Sequence, residues 1–130
     1  MTEQEILGNP DPSLRTVAMP ADANPNGDIF GGWLLAQMDI AGANYAYPIA
    51  NGRITTVAVE GMTFHLPVNV GDEVSCYCTT KRIGTTSIAV DIETWVRRRR
   101  GPVIDKVTEG IFVYVAIDDN GKPRKIAKKL

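Results

Sequence analysis

The sequence has one histidine, two cysteines and almost no net charge, and each of these low values excludes a class of function. There are 14 Lys and Arg residues against 15 Asp and Glu residues, which leaves a net charge near -1. So small a charge gives no overall field that would attract nucleic acid or a membrane surface. Cys76 and Cys78 stand two positions apart, which places both on one face of a strand in a geometry that is awkward for a disulfide. They are expected to be free, buried thiols in a reducing cytoplasm.

No metal site is predicted from the remaining residues. His65 is the only histidine, and it forms no zinc-binding spacing with the cysteines. Residues 1–15 lack the basic and apolar segments of a secretory signal. The apolar run at 30–47 carries Gln37, Asp39 and Asn44, so a buried helix is expected there instead of a membrane span.

The chain has the length and composition of one globular domain. Its 130 residues are 44% apolar and 22% charged, which is enough to bury a core without disulfides or a metal. We expect a flexible N-terminus at 1–12, a folded domain at 13–118 and a basic C-terminal tail at 119–130.

The most informative stretch is NPNGDIFGGWLLAQMDIAGAN, at residues 24–44. Asp39 is the only charged residue between Asp28 and Arg53. An ionised carboxylate in an otherwise apolar helix is costly unless it has a partner or a function. The helix is predicted over 31–47, with Pro48 as its stop. Each glycine of the pair at its start lowers helix stability by about 1 kcal/mol relative to alanine. Their presence is explained if the backbone there makes close contact with another group.

The rest of the chain reads as strands joined by short turns. Alternation of apolar and polar residues predicts strands at 14–19, 53–66 with a bulge at Gly61, 73–82, 86–98 and 107–117. Consecutive strands with short turns pair antiparallel. Because the helix is apolar on all sides, the sheet is expected to wrap it. The fold class is therefore α+β, an antiparallel sheet of five to six strands around one long central helix.

Two segments, NPNGDIFGGWLLAQMDIAGA and TVAVEGMTFHLPVNVGD, resemble the hot-dog-fold acyl-CoA thioesterases, and in particular the small bacterial branch called YciA. The resemblance covers roughly residues 13–126. It implies a cytoplasmic enzyme that hydrolyses acyl-CoA to a free acid and coenzyme A, without a metal or redox cofactor. It also implies a trimer of dimers, in which each active site lies between two subunits and strand 56–62 faces the partner's Asp39.

The resemblance assigns catalytic roles to four residues. The N–H groups of Gly31 and Gly32 would stabilise the oxyanion, as the first amides of a helix are able to do. Asp39 would act as a general base on water or as a nucleophile, and the residues leave both open. The alternative is a structural aspartate that caps or salt-bridges a neighbour. Asn24 either orients water or substrate or only forms the turn.

Further residues are predicted to contact the substrate. Asp28 precedes the helix and is favoured as its cap. The strand and loop positions are Phe30, Thr56, Ala58, Glu60 and Met62. The turn after the third strand resembles a family turn near the nucleotide and supplies Arg82, Gly84, Thr85, Thr86 and Ser87. The arginines at 97–100 and the basic tail are other candidates for the phosphates of coenzyme A, and close relatives often carry a basic residue where this chain has Leu66.

Three other functions fit the sequence less well than hydrolysis. A hot-dog hydratase or dehydratase generally needs an active-site histidine, and His65 is expected to be structural or at the surface, away from the helix. A non-catalytic acyl-CoA sensor is disfavoured by the intact Asp39. A nucleic-acid-binding module lacks the expected charge and exposed aromatic residues.

Overall fold

The computed structural model describes residues 11–126 of the chain. Strand β1 (Leu14–Val17) comes first, followed by a short 3-10 helix (Pro20–Asp22) and the long helix α1 (Gly31–Ala50). Four strands follow: β2 (Ile54–Phe64), β3 (Glu73–Ile83), β4 (Ser87–Arg97) and β5 (Ile104–Ala116). The strands form one antiparallel sheet in the order β1-β3-β4-β5-β2, so the predicted architecture is confirmed.

The alternation in β4 positions the core as predicted. Ile88, Val90, Ile92 and Val96 are buried, while the intervening positions from Asp91 to Arg97 are at least partly exposed. Helix α1 lies across this apolar face, with Met38 and Ala41 fully buried against it. The other side of the helix is exposed, since 55% of Ile40 and 54% of Tyr47 are accessible. The sheet therefore packs around one side of the helix and leaves the other side accessible within a single chain.

Strand β2 contains two irregularities. The predicted bulge at Gly61 is confirmed by a register shift between Glu60 and Thr63 and by a φ angle of +58° at the glycine. A second shift, between Thr56 and Ala58, was not predicted. Each bulge inserts a residue and so reverses which side chains face the helix.

Helix α1 ends later than predicted. Pro48 lies inside its last turn, and the helix stops at Asn51, which adopts a left-handed conformation. A proline removes only one backbone donor, and the final turn has another source of stability. The Arg124 guanidinium donates to the main-chain oxygens of Ala50 (2.9 Å) and Ile117 (3.0 Å). These bonds satisfy a carbonyl at the negative end of the helix dipole.

The C-terminal segment is part of the domain as far as it is described. Ile126 is buried in the main core, and its N–H donates to the oxygen of Thr85. The packed structure thus continues past the predicted boundary at residue 118. Residues 1–10 and 127–130, in the predicted N-terminus and tail, lie outside the described part.

Cys76 and Cys78 are buried and unbridged, as predicted. Burial raises the pKa of Cys76 to about 12 and that of Cys78 to about 11. We therefore expect both thiols to resist a disulfide-exchange reagent at pH 8 in the native protein, because about one thiol in a thousand or fewer is then ionised. Unfolding in guanidinium should release two reactive thiols per chain, measured by absorbance. Rapid labelling of the native protein would contradict this burial.

Candidate active site

Asp39 lies in the middle of α1 on the side that faces β2 and β5. Its Oδ1 accepts hydrogen bonds from the Thr56 hydroxyl at 2.7 Å and from the Tyr114 hydroxyl at 3.1 Å. The Tyr114 oxygen also lies 3.0 Å from the main-chain oxygen of Asp39. Among residues 11–126, no lysine or arginine pairs with Asp39 and none donates to its Oδ2. The salt-bridge alternative is therefore not realised there, and two neutral hydroxyls hold the carboxylate.

The Tyr114 hydroxyl is a permanent donor in this arrangement. Tyr114 is fully buried, and this burial, together with the nearby Asp39 charge, raises its pKa well above the usual range. The phenol therefore stays protonated across the physiological pH range. Asp39 itself is partly exposed, so one oxygen is fixed while the carboxylate remains within reach of solvent.

Thr56 differs from its predicted position. Strand 56–62 was expected to face the Asp39 of a partner, yet the Thr56 hydroxyl bonds to the Asp39 of its own chain. The cause is the register of β2 on β5, which pairs Thr56 with Tyr114. Directly paired residues point to the same face of a sheet, and here that face is the helix side.

Ala58 and Glu60 do not reach the site in this chain. They pair with Val113 and Ile111, which alternate with Tyr114 and so point away from the helix. The unpredicted bulge between Thr56 and Ala58 causes this reversal. Met62 returns to the helix side after the second bulge, where its sulfur accepts a hydrogen bond from Thr108 and its methyl group packs over Gly110.

The N-terminus of α1 is open. Its N-cap is Phe30, which makes no side-chain capping bond and has 49% of its surface exposed. Gly31 and Gly32 are exposed, and within the described chain their N–H groups donate to no carbonyl or side chain. A Cβ on Gly32 would have no neighbour within 4 Å, whereas one on Gly31 would contact Phe64 at 3.4 Å. The positive end of the helix dipole therefore points into open space.

The loop before the helix is shaped by Asn24. Its side-chain oxygen accepts from the N–H groups of Asn26 (2.9 Å) and Asp28 (3.2 Å), which is an Asx-type turn. The predicted cap at Asp28 is wrong, because Asp28 lies in extended backbone bridged to Asn69 and Phe30 occupies the cap position. Of the two roles weighed for Asn24, turn formation is the one seen in this chain.

An apolar groove of about 320 Å³ opens beside Gly31. Its lining comes from the helix start and from the segment after β2: Ile29, Gly31, Leu34, Phe64, His65, Leu66, Pro67 and Val68. His65 is therefore next to the helix start, contrary to the prediction that it lies away from the helix. Its Nε2 lies 2.8 Å from Glu109, and hydrogen bonds from Lys106 and then His65 lower the pKa of Glu109.

The predicted nucleotide turn lies elsewhere on the chain. At 82–87, the Gly84 N–H donates to the main-chain oxygen of Ser87. The oxygen of Thr86 accepts from Ala116 at the end of β5, and that of Thr85 accepts from Ile126 after it. None of these residues lines the groove beside Gly31. Arg82 is exposed, so its guanidinium remains accessible.

Several of the other basic candidates have structural partners. Arg98 bonds to Asp72 at 2.7 Å, to Asp105 at 3.0 Å and to the oxygen of Pro67 at 2.9 Å. Arg97 lies 3.1 Å from Glu73, and Arg124 bonds to main-chain oxygens. By contrast, the exposed side chains of Arg99 and Arg100 have no hydrogen bond or ion pair within residues 11–126.

Sequence reasoning missed Tyr114. The available signal was a tyrosine on the buried side of an apolar strand, since a buried phenol nearly always has a hydrogen-bond partner.

The described residues contain no group of three or more His, Cys, Asp or Glu side chains placed to hold a metal. They also contain no helix long and apolar enough to cross a membrane.

The chain is similar to known proteins over most of its length. Residues 26–102 match the model of the Thioesterase superfamily. The chain is 58% identical over 116 residues to the acyl-CoA thioester hydrolase YciA of Salmonella typhimurium (strain LT2), covering 87% of each chain. It is 57% identical to the Escherichia coli (strain K12) protein of the same name, covering 87% of this chain and 88% of the relative.

A solved structure shows the same fold. The hexameric thioesterase y2039 from Yersinia pestis superposes with a TM-score of 0.88 at 54% identity, covering 93% of this chain and 98% of that one. The chain therefore belongs to the Thioesterase superfamily and, within it, to the YciA acyl-CoA thioester hydrolases.

Proposed function

We propose that this protein hydrolyses acyl-CoA thioesters to a carboxylic acid and coenzyme A, in the cytoplasm and without a cofactor. The observation that carries the proposal is Asp39, a carboxylate on an apolar helix that is held by two neutral donors and has no cationic partner in the described chain. The relatives from Salmonella typhimurium and Escherichia coli bear the name of this activity. Both cysteines are buried and unbridged, which fits a reducing compartment.

In this proposal Asp39 is either the general base or the nucleophile. Thr56 and Tyr114 hold Oδ1, which leaves Oδ2 to react in one of two ways. It takes a proton from a water that attacks the thioester carbon and expels the coenzyme A thiolate, or it attacks that carbon itself and expels the thiolate, and water then hydrolyses the mixed anhydride to the free acid and Asp39. The uncapped N–H groups at Gly31 and Gly32 stabilise the charge that develops on the thioester oxygen. Phe30 and the apolar groove beside Gly31 contact the remainder of the substrate.

One chain does not complete this site by itself. Gly32 and Asp39 are seven positions apart on one helix, which is roughly 10 Å along its axis. An oxyanion donor and an attacking oxygen must both lie about 3 Å from the same carbonyl group. The two functions therefore act on one thioester only if a second copy supplies one of them.

The surface of β2 supports this second copy. It is an edge strand with 54% of Val57 and 44% of Val59 exposed, and the uncovered side of α1 lies beside it. Edge strands and exposed apolar faces are often covered by a partner. We propose that two copies join along β2 and that three such dimers form a hexamer, the state stated for the Yersinia pestis relative.

The first test is the substitution Asp39→Asn, which keeps the shape of the side chain and removes its basicity. We expect kcat for thiol release from acyl-CoA to fall by roughly two to four orders of magnitude, the scale of a lost general base. The matched control is Asp119→Asn, an exposed carboxylate after β5, which should retain wild-type turnover. Unchanged turnover in Asp39→Asn would exclude the catalytic assignment.

The shared site predicts complementation between two inactive variants. Gly32→Pro removes one N–H in the first turn of the helix, where that N–H has no partner within the helix, and it should be nearly inactive. Co-expressed with Asp39→Asn under a second affinity tag, mixed pairs should regain about half of the wild-type rate, because one of their two sites holds both groups. If the mixed species purified through both tags stays inactive, each site belongs to a single chain.

The turn at 82–87 is our proposed contact for the nucleotide of coenzyme A. Arg82→Ala should raise KM for acyl-CoA by roughly 3- to 30-fold, the effect of one charge-assisted hydrogen bond at an exposed site. KM for the matching acyl-pantetheine, which lacks the nucleotide, should not change. If the double variant Arg99→Ala/Arg100→Ala raises KM for acyl-CoA more than Arg82→Ala does, the phosphates instead bind the accessible arginines after β4.

A further inference from the structure

Tyr114 contacts both a side-chain oxygen and the main-chain oxygen of Asp39. Its single hydroxyl lies 3.1 Å from Oδ1 of Asp39 and 3.0 Å from the main-chain oxygen of the same residue. One phenol proton is thus shared between the side chain and the backbone of Asp39. This restricts rotation of the carboxylate relative to the helix that carries it.

The helix is shaped to admit this hydroxyl. Gly42 lies one turn after Asp39 and is buried. A Cβ at position 42 would collide with the Tyr114 hydroxyl and lie 2.8 Å from Cδ1 of Ile92. A glycine inside a helix costs about 1 kcal/mol relative to alanine, and the space it leaves is occupied by the Tyr114 hydroxyl.

The two donors act on the same oxygen. Thr56 and Tyr114 both reach Oδ1, and no residue in 11–126 donates to Oδ2. The carboxylate is therefore oriented with one oxygen saturated and the other available. For a general base or nucleophile, such fixed orientation is a large part of the rate, since small displacements of a reacting group lower it strongly.

We propose that Tyr114 is a positioning residue that locks the Asp39 carboxylate and leaves Oδ2 as the reacting oxygen. The proposal rests on the hydrolase function proposed above. Tyr114 has no part in binding the substrate, so its loss reduces the chemical step and not the affinity.

The test is Tyr114→Phe, which removes only the hydroxyl. We expect kcat to fall roughly 10- to 100-fold, while KM for acyl-CoA stays within about twofold. The matched control is Tyr45→Phe, on the helix that carries Asp39. The Tyr45 hydroxyl bonds to Thr80 at 2.7 Å and lies outside the site. This variant should leave both constants unchanged. An unchanged kcat in Tyr114→Phe would overturn the proposal.

A double variant separates positioning from general stability. In the Asp39→Asn background, Tyr114→Phe should lower the residual kcat no further, because the group it positions is already disabled. An equal loss in both backgrounds would show that Tyr114 acts through the fold alone, and would overturn the proposal.

Crystal structures of the two Tyr→Phe variants give a readout that does not depend on activity. In Tyr114→Phe the Asp39 carboxylate should rotate or occupy more than one rotamer, whereas in Tyr45→Phe it should keep its bond to Thr56. An undisturbed carboxylate in Tyr114→Phe would overturn the positioning role even if the protein hydrolyses acyl-CoA. Failure of the hydrolase proposal would instead appear as absent thiol release by the wild type, with the rotamer change still present.

Discussion

The hydrogen bonds that Thr56 and Tyr114 donate to Oδ1 of Asp39 join the central helix to β2 and β5 at the proposed active site, and they constrain several parts of the structure at once. They require β2 to lie beside β5 in one register, the phenol to be buried and a glycine at position 42. Each requirement is met by a different part of the chain. The partly exposed carboxylate is thus held by two neutral donors, without the desolvation that a buried ion pair would add.

The two ends of α1 have opposite properties. The C-terminal end has its carbonyls satisfied by Arg124 and by the left-handed turn at Asn51. The N-terminal end has an uncapped glycine pair and an exposed Phe30. Unpaired amides are unfavourable for helix stability, and this helix retains them at the end where the apolar groove opens. The helix is therefore capped at its C-terminal end and uncapped at the end that borders the groove.

Much of the fold could be predicted from the sequence, because its signals are local. The alternation in β4, the bulge at Gly61 and the isolated charge at Asp39 each follow from a few neighbouring residues. The errors arise where tertiary packing decides. Thr56, Ala58, Glu60 and Met62 have a period of two and look like one face, yet two bulges turn the middle pair outward. Pro48 looks like a stop, yet Arg124, far along the chain, stabilises the turn that contains it.

The hydrogen bonds of Arg124 hold the C-terminal end of α1 in place. Since its guanidinium joins Ala50 to the segment after β5, the axial position of the helix is set from the end remote from the groove. At the opposite end of the helix, the N–H of Ile29 donates to the oxygen of Val68 and that of Phe30 to the oxygen of Asp22. The two ends of one helix are thus fastened by different parts of the chain: the end beside the groove by the segments around Asp22 and Val68, and the far end by Arg124.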